Sequence, residues 1–172
     1  MRVIRPLAVV VVLLLACPAH EAHGTEDGNG YVYDATAAGD HRALVMDRDG
    51  RWVDIQDKAD IHMDSTISEF GGSNEDCGSK EFFCLTGALE IVIPKSMPMK
   101  QWQYHGLSCQ SSRLGGDSFR IVCRSPKYRG KPTFTYSRSR GVVAIDSSPV
   151  GGARGGFQLR GQYGLFSQGS HP

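Results

Sequence analysis

The first residues, "MRVIRPLAVVVVLLLA", place two arginines, Arg2 and Arg5, ahead of an unbroken apolar run from Leu7 to Ala16. That layout predicts a signal peptide. The run is too short for a membrane-spanning helix, which takes about 20 apolar residues. No second apolar stretch of that length follows. Hydrophobic residues come instead in short runs punctuated by Gly, Ser and Asp, the rhythm of strands and turns.

Taken in order, "HRALVMDRDGRWVDIQD" shows two apolar runs around Asp49-Gly50, which predicts a hairpin because Gly accepts the positive φ of a tight turn. "DIHMDSTISEF" alternates through Ile61, Met63, Ser65 and Ile67 and predicts a strand, although Met63, Ile67 and Phe70 also fit one helical face. "GGSNEDCGS" reads as a loop. "EFFCL" and "ALEIVIP" are short and rich in aromatic or β-branched residues, as strands are. "KPTFTYSRSRGVVAID" predicts a hairpin with Phe134 and Tyr136 on one face and "SRSRG" at the turn. "GGFQLRGQYGLF" follows, with a break in period near Gly161 such as a bulge produces. These segments amount to about nine or ten short strands without an internal repeat. They predict an all-β fold, a single small antiparallel barrel or sandwich. The domain is expected over residues 31–172, after a signal peptide over 1–16 (or 1–19) and a flexible tether over 17–30 that contains "HEAHGTEDGNG".

The cysteines refine this picture. Leu14-Leu15-Ala16-Cys17 resembles a bacterial lipobox, which implies acylation of Cys17 and anchoring to a membrane; ordinary cleavage before His20 competes with it. Either outcome leaves Cys77, Cys84, Cys109 and Cys123, an even set suited to disulfides in an oxidising compartment. In "QWQYHGLSCQSSRLGGDSFRIVC" the midpoint between Cys109 and Cys123 is Gly116, inside the turn-forming "LGGD". A symmetric hairpin would set those two sulfurs opposite each other, and Cys77–Cys84 follows by elimination.

Net charge is only +1, but it is distributed unevenly. Residues 20–94 carry sixteen Asp and Glu against five Lys and Arg, whereas residues 95–172 carry twelve basic side chains against two acidic. Two explanations compete. Acidic strands could pair with basic strands in one sheet, or a basic face could meet an anionic partner. The interleaved basic and aromatic segments "CRSPKYRGKPTFTYSRSR" and "ARGGFQLRGQYG" resemble the composition of nucleic-acid binders, a partner that the expected export argues against. On the second explanation Lys127, Arg129, Lys131, Arg138 and Arg140 are the candidate binding residues, clustered around one hairpin end.

Motifs for chemistry are sparse. No serine has a G-x-S-x-G or S-x-x-K setting, no CxxC pair occurs, and His20 and His23 lack the HExxH spacing. "MDRDG" lacks the further ligands of a calcium loop. His62 between Asp60 and Asp64 is the best candidate for a metal or acid–base group, because alternate strand residues share a face. A cleft joining Asp60, His62 and His105 would favour an enzyme. The expectation is an exported, non-enzymatic binding or inhibitor-like β-domain of the cell envelope. It needs no metal or cofactor, and it meets a membrane through a lipid anchor or an envelope protein or anionic component through its basic half. The alternative is an exported hydrolase using Asp and His residues on envelope polysaccharide or lipid.

Overall fold

The computed structural model describes residues 30–63, 71–126, 131–146 and 155–168. The expected signal peptide, Cys17, the tether up to Asn29, Lys127 and Arg129 lie outside the described residues, as does the 64–70 part of the strand expected around Ile61 and Ile67. Twelve strands make up the described chain: β1 (Gly30–Ala35), β2 (Arg42–Asp47), β3 (Trp52–Asp57), β4 (Gly72–Asp76), β5 (Phe82–Gly87), β6 (Ile91–Pro94), β7 (Gln101–Tyr104), β8 (Leu107–Gly115), β9 (Ser118–Arg124), β10 (Thr133–Ser137), β11 (Gly141–Asp146) and β12 (Phe157–Leu159). All neighbours are antiparallel, in the order β6-β5-β4-β3-β2-β1-β12-β11-β10-β9-β8-β7. Chain order is therefore kept within each half, and the β1–β12 ladder joins the halves.

The edge strands β6 and β7 meet and nearly close the sheet into a barrel. The contact is made by side chains: the Trp102 indole N–H donates to the Val92 carbonyl at 3.1 Å, and Phe82 stacks on Tyr104 with ring centroids 4.7 Å apart. The interior is packed. Tyr33, Leu44, Ile91, Ile121, Phe134, Tyr136, Ile145 and Phe157 are all fully buried there. Each large apolar side chain removed from water contributes about 1.5–3 kcal/mol, so this core is the main source of stability.

The hairpin turns follow from local chemistry. Gly50 has φ +68° in the β2–β3 turn, as expected. The β8–β9 hairpin is symmetric about Gly116, and Cys109 lies directly opposite Cys123. The Cys109–Cys123 and Cys77–Cys84 disulfides are both formed. Leu114 is the extra residue of a bulge where the register shifts between Arg113 and Gly115. The "QWQYHGLSC" stretch spans two strands, β7 and the start of β8, reversed at His105 and Gly106, both with positive φ.

Three segments depart from the expected pattern. Gly72–Asp76, expected within a loop, is strand β4, held as strand by its pairing with β3 and β5. Residues 60–63 are not strand: they fold back over the outside of β1–β3, where Trp52, Ile61 and Met63 cover Val32, Ala43 and Val45. The Gln56 amide pins this return by accepting from the His62 N–H at 2.7 Å and donating to its carbonyl at 3.0 Å. After Leu159 the chain leaves the sheet, and residues 160–168 close one end of the barrel. There Leu165 is buried, and Phe166 stacks on Phe83 with ring centroids 5.0 Å apart. The guanidinium of Arg140 donates to the carbonyls of Gly161 and Gln162 at 3.3 and 2.9 Å, holding this segment against the β10–β11 turn.

Strand order also decides what becomes of the uneven charge. The strands of the acidic half, β1–β6, pair with one another, and so do those of the basic half, β7–β12; acidic and basic strands share a ladder only at β1–β12. The bidentate Arg160–Asp34 pair spans that junction at 2.7 and 3.0 Å. Wholesale neutralisation by strand pairing, one of the two explanations above, is therefore not how this barrel is built.

Candidate functional site: a cation-lined outer groove

The outer face of β7–β9 is built from alternating positions. On β9, Phe119, Ile121 and Cys123 point into the core while Arg120 and Arg124 are exposed. On β8, Ser108, Gln110 and Ser112 are exposed on the same face, and the ladder aligns Ser112 with Arg120, Gln110 with Val122 and Ser108 with Arg124. On β7, Gln101 and Gln103 complete the rows opposite Gln110 and Ser108. Arg120 and Arg124 are four residues apart on one strand face, about 13 Å.

Two depressions of about 390 and 620 Å³ occupy this face and share Gln101, Gln110 and Val122. The smaller reaches Gln103, Ser108 and Arg124; the larger reaches Met99, Lys100, Ser112, Arg113 and Arg120. Among the described residues four cations line the combined groove, and no carboxylate does. Among the described residues no ion pair engages Lys100, Arg120 or Arg124. The Arg113 guanidinium is partly committed, donating to the Gly116 carbonyl at 3.1 and 2.7 Å. The groove therefore offers charge together with amide and hydroxyl groups that both donate and accept hydrogen bonds.

The residues singled out from sequence sit elsewhere. Arg138 and Arg140 share the β10–β11 turn, but Lys131 precedes β10 at the strand's opposite end, on the order of 23 Å away along the extended chain. Arg140 is engaged by the closing segment, as described above. Arg138 and Lys131 are exposed. Beside that turn, Asp117 accepts from the Ser139 hydroxyl at 2.7 Å, the Ser139 N–H at 2.9 Å and the Ser137 hydroxyl at 2.9 Å. These bonds hold its carboxyl down at about 2. They fix two adjacent turns to each other and leave little of the carboxylate free for chemistry.

The acid–base candidate forms a pair of limited promise. His62 Nε2 lies 2.9 Å from Asp60 Oδ1, with the two side chains 49% and 79% exposed. Solvent therefore screens the pair. Asp64 lies outside the described residues. His105 sits at the β7–β8 turn, its ring 4.8 Å from that of Tyr104. Among the described residues no three His, Cys, Asp or Glu side chains converge to hold a metal ion.

Fold and site together define a disulfide-bonded antiparallel β-barrel with a packed interior and a polar, cation-lined groove on its outer wall. Comparison with protein-family models, curated proteins and solved structures finds no match for the chain.

Proposed function

We propose that this chain is an exported protein of the cell envelope whose β-domain binds an anionic envelope component and performs no catalysis. One observation carries the reading: the outer groove of β7–β9 is lined by Lys100, Arg113, Arg120 and Arg124, with no carboxylate among its described lining residues. A surface of one sign raises the local concentration of oppositely charged partners and speeds their encounter.

Export is supported by the Arg2–Ala16 pattern and by two disulfides, which persist in oxidising compartments. On this reading Cys17 is acylated and residues 17–29 tether the barrel to a membrane; cleavage before His20 would release it instead as a soluble periplasmic or secreted protein. A Cys17→Ser variant that moves from the membrane to the soluble fraction supports the anchor, and unchanged fractionation refutes it.

The binding reading is tested with the purified exported protein on a panel of anionic materials: lipopolysaccharide, phospholipid vesicles rich in anionic lipid, and acidic polysaccharides. Binding to at least one is expected. It should weaken as salt rises, because such attraction is screened over about 8–10 Å at moderate ionic strength. Failure to bind any of them at low salt would remove the reading.

A further inference from the structure

We propose that the groove across β7, β8 and β9 is a subsite for a linear anionic polysaccharide, its acidic groups held by Arg120, Arg124 and Lys100 and its hydroxyls by Gln101, Gln103 and Gln110. This rests on the proposed binding of an anionic component and names its chemistry. Three observations point to a glycan over other polyanions.

The first is the lining. Between the cations stand three glutamine amides and the hydroxyls of Ser108 and Ser112, all exposed on one face. Each amide both donates and accepts, the complement of a sugar hydroxyl, which does the same. A guanidinium engages a carboxylate, sulfate or phosphate through paired N–H donors.

The second is the layout. The two depressions run into each other at Gln101, Gln110 and Val122. Arg120 and Arg124, about 13 Å apart on β9, lie toward opposite ends of the resulting groove. Separated charges along an open groove suit a chain with repeating acidic groups. A single headgroup could reach one of them at a time.

The third is what the groove lacks. Among the described residues no aromatic ring is exposed on it to stack a nucleobase, the usual source of single-strand affinity. Among the described residues Leu114 is the one large hydrophobic side chain that is exposed, and it stands at the hairpin tip. A bilayer surface is bound more firmly when several apolar side chains enter it.

The test measures binding of polygalacturonate and dextran sulfate to the exported, disulfide-bonded protein, with neutral dextran and anionic vesicles as comparison ligands. Arg120→Glu with Arg124→Glu should weaken polysaccharide binding by about tenfold or more, the loss of one or two charge-assisted contacts. Lys131→Glu with Arg138→Glu makes the same change of charge outside the groove and should leave binding within about threefold. Gln103→Ala with Gln110→Ala leaves charge unchanged and should still weaken binding, by about threefold. If the Glu pair fails to fold, Arg120→Gln with Arg124→Gln takes its place.

Equal losses from the two charge-reversing pairs would overturn the groove and leave the proposed function standing as a diffuse charge effect. Binding to vesicles with none to either polysaccharide would also overturn it, again leaving the broader reading intact. Absence of binding to every anionic ligand would end both.

Discussion

The hydroxyl of Tyr33, at the centre of β1, donates to the carbonyl of Val142 on β11 across 2.9 Å, although 109 residues separate the two in the chain. The same oxygen accepts the N–H of Leu165 at 3.1 Å, so one buried hydroxyl ties the two halves of the barrel and its closing segment together. Burial pushes this phenol far above its ordinary pKa, which keeps it a neutral donor. Tyr33→Phe keeps the ring but leaves the Leu165 N–H without its acceptor and removes a donor from the Val142 carbonyl. A loss of about 2 kcal/mol or more is expected. Urea denaturation should show a lower midpoint at unchanged slope.

Gly141, with φ +80°, opens β11 directly against the closing segment. A Cβ here would overlap the carbonyls of Gly164 and Leu165 and the N–H of Ser167, all backbone atoms that cannot swing aside. Gly141→Ala should therefore cost about 2–4 kcal/mol through combined strain and displacement. Gly39→Ala is the control: its φ is also positive, at +76°, but nothing lies within 4 Å of its added methyl. Its smaller loss, read by the same denaturation curves, isolates the overlap.

Asp117 gives the fold an acid-sensitive contact. Its folded-state pKa of about 2 lies below the ordinary value of 3.8, so the stabilisation is complete above the ordinary value and is lost as pH falls through the folded one. Between about pH 4 and pH 2 the wild type should lose roughly 1 kcal/mol at this turn, a figure already discounted for solvent screening. Asp117→Asn should be less stable than wild type at neutral pH, and the gap should close across that window. A constant gap down to pH 2 would contradict this.

The buried Cys109–Cys123 disulfide joins residues 14 positions apart, and Cys77–Cys84 joins residues 7 apart. Replacing Cys109 and Cys123 together with Ala should cost about 3 kcal/mol from loop entropy. Replacing Cys77 and Cys84 should cost somewhat less, because the closed loop is shorter. Non-reducing peptide mapping that joined Cys77 to Cys109 or Cys123 would contradict both pairings.

The hairpins were legible wherever a local signal coincided with a symmetric constraint. Gly116 between two cysteines and Gly50 after Asp49 are such cases, since turn chemistry and register can be read from neighbours in sequence. β4, "GSNED", was not legible, because it has almost no apolar content and reads as loop. It becomes a strand through distant partners: Ser73 and Gly72 pair with Trp52 and Val53, and buried Asn74 donates to the Gly50 carbonyl at 2.6 Å and accepts the Leu89 N–H at 2.8 Å. The His105–Gly106 reversal was hidden for another reason, since a non-glycine residue at positive φ leaves little trace in composition. Density of basic residues singles out Lys127–Arg140. The alternation in "SFRIVCR" was the subtler clue, putting Arg120 and Arg124 on the face opposite the core. What the pattern lacks is the knowledge that β7 and β8 bring glutamines and serines alongside them.

The separation of acidic strands from basic strands has a consequence for how the molecule moves. The full sequence has a net charge of only +1, while the acidic strands β1–β6 and the basic strands β7–β12 form opposite walls, so charge separation outweighs net charge. A charged surface therefore exerts a turning torque on it more than a pull, and the β7–β9 wall faces a negative surface before any contact is made. At low ionic strength the same charge separation aligns neighbouring copies, so solutions without salt should scatter more light than solutions at moderate salt, the reverse of what hydrophobic association produces.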